Sequence, residues 1–172
     1  MWVKFDIDGM KINFQITNYI PDQDIEGRWT KVSANFEFQN VIKYDIENQE
    51  DLLCYEVDRL RDDIAKLLDD KVERAENISF IEPDFEMTLY PKYNLKDNSH
   101  VIYIQEGKEI QDVYADVQVN LWNNGLTCVN FGFTLDRDDL EILYKYLCLV
   151  SKTISKDKVQ NLIEQGIIYG ED

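Results

Sequence analysis

The chain has 172 residues, enough for one domain with a substantial core, and its 44% hydrophobic and 12% aromatic content excludes an intrinsically disordered polymer. Lysine and arginine number 18 against 34 aspartate and glutamate, a formal net charge of −16. A surface of that sign repels nucleic-acid phosphates and anionic membranes, so neither is expected as a partner, while its field draws a basic protein inward.

The predicted elements begin with a hairpin. Val3, Phe5 and Ile7 alternate with charged residues, and Asp8-Gly9 suits a two-residue turn with positive φ at both positions. Closing on that turn pairs Ile7 with Met10, Phe5 with Ile12 and Val3 with Phe14, apolar against apolar at each step. An acidic loop over Pro21 to Gly27 follows, then a half-buried strand in which Thr30, Val32, Ala34, Phe36 and Phe38 share one face. A short strand is expected at Ile42 to Ile46.

The first helix is expected to start at Asn48, as cap, with Glu50 and Asp51 in its electropositive first turn. Leu52, Leu53, Val57, Leu60, Ile64, Leu67 and Leu68 then fall on one face at helical spacing. Two strands follow, Ile78 to Ile81 and Phe85 to Tyr90. In the weakly patterned stretch from Pro91 to Asp112, an edge strand is expected at Val101 to Ile104 and a turn at Glu106-Gly107-Lys108.

Register decides the turn of the second hairpin, Val113 to Leu135. A two-residue Asn124-Gly125 loop sets Val119 against Asn130. A three-residue loop, Asn123-Asn124-Gly125, pairs Val119 with Val129, Val117 with Phe131 and Ala115 with Phe133, all apolar, with Gly125 in a left-handed position. The three-residue loop is the expectation. Asp136 then caps a helix, with Asp139 three residues on and Leu140, Leu143, Tyr144, Leu147 and Val150 as its buried stripe. Ser155 caps a shorter helix bearing Val159, Leu162 and Ile163, ended by Gly166. The whole reads as one α+β domain over residues 1–172: an antiparallel sheet with two or three helices packed on one face.

The N-terminus shows no cationic stretch ahead of an apolar one, and no run nears the ~18 apolar residues that cross a bilayer. Cys54, Cys128 and Cys148 are odd in number and sit in apolar patterns, so they read as small buried hydrophobes in a reducing compartment. The cytoplasm is the expected location.

Catalytic motifs are missing. The single histidine, His100, lies in a polar stretch and reads as a plain surface residue, leaving no base for a serine or cysteine nucleophile. No glycine-rich phosphate loop and no Cys-x-x-Cys occurs. Glu82, Asp84 and Glu86 would share a strand face at period two, but no oxyanion donor or metal ligand accompanies them. The runs Asp22/Asp24/Glu26 and Asp136/Asp138/Asp139 lack calcium-loop spacing. No catalytic residue, cofactor or metal ligand is therefore assigned, and the chain is expected not to be an enzyme. What remains is acidity: from Asp45 to Asp70 there are ten Asp and Glu against three Arg and Lys. On the outer face of the first helix, Asp58, Asp62 and Asp63 are the candidate contacts for a basic protein partner.

The order of these features resembles the WapI-like immunity proteins, small bacterial proteins that neutralise the toxic tip of a contact-dependent toxin. The stretches that carry the likeness are the opening hairpin, the Trp29 strand, the acidic helix over Asp51 to Leu68, Phe80-Ile81-Glu82-Pro83-Asp84-Phe85-Glu86, the long hairpin, and Phe133-x-Leu135-Asp136-x-Asp138-Asp139-Leu140. It spans roughly Phe5 to Ile154, with Pro91 to Asp112 and the helix after Ser155 as departures. The resemblance implies an inhibitory binding protein with a toxin domain as partner, and it transfers no site residues; the net charge of −16 points to a basic, nuclease-type toxin. A small enzyme or ligand-binding domain is the alternative; a concave pocket with convergent polar groups would mark it.

Overall fold

The computed structural model describes residues 1–21, 28–122 and 125–170. The acidic run Asp22/Asp24/Glu26 and the pair Asn123-Asn124 lie outside the described residues.

Strands β1 (Trp2–Ile7) and β2 (Met10–Thr17) form the expected hairpin, with Ile7 opposite Met10, Phe5 opposite Ile12 and Val3 opposite Phe14. Asp8 and Gly9 take φ of 50° and 85°, the two positive values this turn requires. Strand β3 (Trp29–Phe38) pairs with β2 and buries Thr30, Val32, Ala34 and Phe36, the alternation read from its period.

Strand β4 runs from Ile42 to Leu53, well beyond the expected Ile42–Ile46. Asn48 is therefore not a helix cap. It occupies a register irregularity at φ 50°, its N–H donating to Ser33 Oγ at 3.0 Å, and the strand resumes to place Leu53 opposite Trp29. Thr30 Oγ1 donates to the Leu52 carbonyl at 2.7 Å and fastens that end. Helix α1 (Cys54–Leu68) starts only there, with Leu53 as its N-cap and Val57, Leu60, Ile64 and Leu67 buried.

After α1 come β5 (Glu76–Ser79), β6 (Phe85–Tyr90), β7 (Tyr93–Asn94), β8 (Ile110–Gln111), β9 (Tyr114–Trp122), β10 (Leu126–Leu135), α2 (Arg137–Val150), α3 (Lys156–Glu164) and β11 (Ile168–Tyr169). The α+β class stands, but the single sheet does not. Phe5 and Phe36 belong to a five-stranded sheet of order β11-β1-β2-β3-β4, while Val117 and Phe131 belong to a four-stranded sheet of order β10-β9-β6-β5. Every pairing in them is antiparallel. The sheets meet through aromatic contacts, Phe14 with Phe85 and Phe36 with Phe131, at ring separations of 6.2 and 5.2 Å. Leu60 and Ile64 of α1 and Leu140 and Leu147 of α2 join the same core.

The β9–β10 register corrects the expectation. Trp122 faces Leu126, as a three-residue loop requires, yet Val119 lies opposite Phe131 and Val117 opposite Phe133. Between those pairs Thr127, Cys128 and Val129 oppose Leu121 alone, so β10 carries two extra residues. Thr127 holds this bulge: its Oγ1 donates to the Leu121 carbonyl at 2.7 Å and accepts from Val129 N–H at 3.1 Å. A shift of two leaves every side chain on its original face, which is why apolar pairing did not detect it. Gly125 takes a positive φ of 139°, not the left-handed helical value.

Other expectations also shift. No strand forms over 101–104; Ile102 and Tyr103 project outward, 101% and 82% exposed, while the turn at Gly107 does form. Of the three cysteines none is buried, and Cys128 is exposed in the bulge. Asp136 and Asp139 cap α2 reciprocally, as read. Within α2 the fully buried aromatic is Tyr146, whereas Tyr144 and Val150 are half-buried. Leu162 anchors α3 and Ile163 is exposed; Ser155 occupies the N-cap without a side-chain bond, and Gly166 closes the helix at φ 68°. Strand β11, unforeseen in the sequence, then adds an edge to β1, pairing Ile168 with Val3.

Tyr146 joins helix to sheet. Its hydroxyl accepts from the buried Ile16 N–H at 2.7 Å and donates to the Met1 carbonyl at 3.2 Å. Tyr146→Phe leaves that amide without this acceptor and is expected to lower unfolding free energy by about 1–3 kcal/mol, read from the urea midpoint at unchanged slope.

Candidate functional site

Two acidic features flank the start of α1. The first is the outer face. Asp58 and Asp62 project from α1 away from its buried stripe, with side chains 37% and 58% exposed, whereas Asp63 lies on the flank of that stripe, 19% exposed. Each meets a donor of its own neighbourhood. Asp58 accepts from the Tyr19 hydroxyl at 2.9 Å and from Arg61 at 2.7 Å; Asp62 pairs with Arg61 at 2.8 Å and Asp63 with Lys66 at 2.7 Å. Burial and the Asp58 carboxylate push the Tyr19 phenol up to about 12, so it stays a donor. The face is thus less anionic than its aspartates suggest, because Arg61 and Lys66 lie among them.

The second feature is buried and was not read from the sequence. Asp51, expected in a helical first turn, sits near the end of β4 with 1% exposure, and neither carboxyl oxygen meets a hydrogen-bond donor. Asp84, 7% exposed, is its neighbour. The sequence placed Glu82, Asp84 and Glu86 on one strand face. In the fold only Glu86 lies in β6, while Glu82 and Asp84 occupy the turn before it, which directs Asp84 inward. Asp84 accepts from the indole Nε1 of Trp122, and its carbonyl accepts from Asn120 N–H at 2.9 Å. Burial first, then the charges of Asp84, Glu82 and Glu56, push the Asp51 carboxyl up to about 8; burial also raises Asp84. A proton held on Asp51 is donated to Asp84, so the two act as a pair. Glu56, 1% exposed, differs because its carboxylate is satisfied by Leu53 N–H and Ile81 N–H, both at 2.9 Å.

Elsewhere the described residues offer little chemistry. His100 is exposed, and its backbone N–H donates to Asn98 Oδ1. Among the described residues no group of three or more His, Cys, Asp or Glu is arranged to hold a metal ion. A cavity of about 80 Å³ opens between the sheets, walled by Phe5, Phe14, Phe36, Phe85 and other apolar side chains, with Glu86 the charged residue among its lining.

Two facing antiparallel sheets share a core with two long helices, an α+β arrangement. The model of the immunity protein WapI-like family matches residues 4–149, and the chain belongs to that family. Its role is toxin immunity and its partner a protein toxin. A comparison with curated proteins found no match. Helix α3 and strand β11 lie past the matched segment. No helix among the described residues is long and apolar enough to cross a membrane.

Proposed function

We propose that the chain is a non-catalytic inhibitor that neutralises a cognate toxin in the cytoplasm by covering a basic, nuclease-type surface. The observation that carries this reading is the net charge of −16 on a member of an immunity family. A nuclease must bind phosphate, so the surroundings of its active site are cationic, and an acidic protein is drawn to them over long range.

Asp58, Asp62 and Asp63 form the proposed outer contact. Asn at all three positions removes three negative charges and leaves Arg61 and Lys66 without their α1 partners. Association with the toxin domain encoded by the neighbouring gene is expected to slow about tenfold at low salt, and to lose much of its salt dependence. Stopped-flow rates across a salt series check this. Rates that ignore both salt and the triple substitution exclude electrostatic steering.

A further inference from the structure

We propose that the Asp51–Asp84 pair is the receptor for a cationic side chain of the toxin, a lysine or arginine that enters beside the Trp122 indole. This rests on the toxin-binding reading above and names its anchoring contact. The carboxylates of Asp84, Glu82 and Glu56 all act on Asp51 here. Among the described residues none of the four has an ion-pair partner. Glu56 has its two backbone amides, but both Asp51 oxygens are buried and lack a donor. In the free fold this buried acid is neutralised only by the proton it shares with Asp84, and a cation is the group that would let both carboxylates ionise.

The immediate surroundings suit a protein side chain. Trp122 is 41% exposed and already donates to Asp84, so a cationic donor that exchanges with that bond reaches the pair from the surface, and the indole face can then lie against the cation. Leu126, opposite Trp122, is 52% exposed and sets an apolar side chain beside that indole, where it can help exclude water from a charged contact. A metal ion is disfavoured, since the described residues assemble no set of three ligands.

Entry of a cation expels the proton that Asp51 holds: the Asp51 O–H bond breaks, the proton passes to buffer, and the carboxylate pair then faces the ammonium or guanidinium group. Complex formation at pH 7 should therefore release about one proton. The experiment is titration calorimetry of the full chain with the catalytically inactivated toxin domain of the neighbouring gene, in two buffers of different ionisation enthalpy. The natural chain is expected to release that proton. Asp51→Asn should release none and bind about tenfold or more weakly while remaining folded by thermal melt, because asparagine resembles the protonated acid in shape. Asp84→Asn provides the second variant and should weaken binding likewise. A complex that forms without proton release, or with Asp51→Asn at unchanged affinity, overturns this inference and leaves the immunity reading intact. Absence of any complex overturns both.

Discussion

Asp51→Asn is expected to raise the unfolding temperature of the free chain by several degrees at pH 8 and by much less at pH 5. The reason lies in where the folded carboxyl titrates. Its ordinary value is 3.8 and the folded value about 8, so between those limits the folded state holds a proton that the unfolded state releases. An acid raised in this way contributes stability fully below the unfolded value, and that contribution is lost as pH rises through the folded one. Each pH unit inside the window removes up to about 1.4 kcal/mol per proton, so the natural chain is a few kcal/mol less stable near pH 8 than near pH 5 on this account. Asparagine does not titrate, and its amide can donate to Asp84 as the protonated acid does. About 2–4 °C accompany each kcal/mol in a domain of this size, which sets the scale of the shift. Calorimetric scans of both proteins from pH 5 to pH 8.5 measure the difference directly. A gap that stays constant with pH would show that Asp51 does not hold its proton in the fold.

Glu56→Ala should cost roughly 3–5 kcal/mol, because this carboxylate is buried and holds two backbone amides. The Glu56 carboxylate accepts from Leu53 N–H at the start of α1 and from Ile81 N–H ahead of β6, one oxygen to each. It thereby ties the helix N-terminus to the chain entering the second sheet. Alanine removes both charge-assisted bonds and leaves the Leu53 amide buried without a partner. Glu56→Gln is expected to lose about half as much, because its amide oxygen can serve one N–H while its NH₂ confronts the other. Urea unfolding at constant slope distinguishes the three proteins. A loss below about 1 kcal/mol for alanine would mean that the two amides find other acceptors.

The opening hairpin was legible because its information is local: Asp8-Gly9 accepts positive φ, and a two-residue turn leaves one apolar register. The α2 capping box lies within four residues, and the stripe of α1 repeats at a single period. Family resemblance was legible for the same reason, being an order of such local patterns, and the match over 4–149 covers the elements that carried it.

The tertiary structure decided what local pattern leaves degenerate. The alternation of apolar residues specifies which face a strand shows but not a shift of two, so the β10 bulge placed Val119 opposite Phe131 unseen. The run Glu50-Asp51-Leu52 is equally a helical first turn or a strand end; pairing with β3, through Trp29 opposite Leu53, made it a strand. Helical spacing admits either Tyr144 or Tyr146 as the inward aromatic of α2, and the Ile16 amide across the core selected Tyr146. The candidate site follows the same logic. Asp58, Asp62 and Asp63 could be assigned to an outer helix face from periodicity alone, whereas the partners that temper their charge, above all Tyr19, come from another element. Asp51 is buried near the end of β4, where Asp84 from the turn before β6 acts on it and Trp122 donates to Asp84 from the β9–β10 hairpin. Burial and charge coupling depend on residues that folding brings from three separate segments, and no window along the chain contains them together.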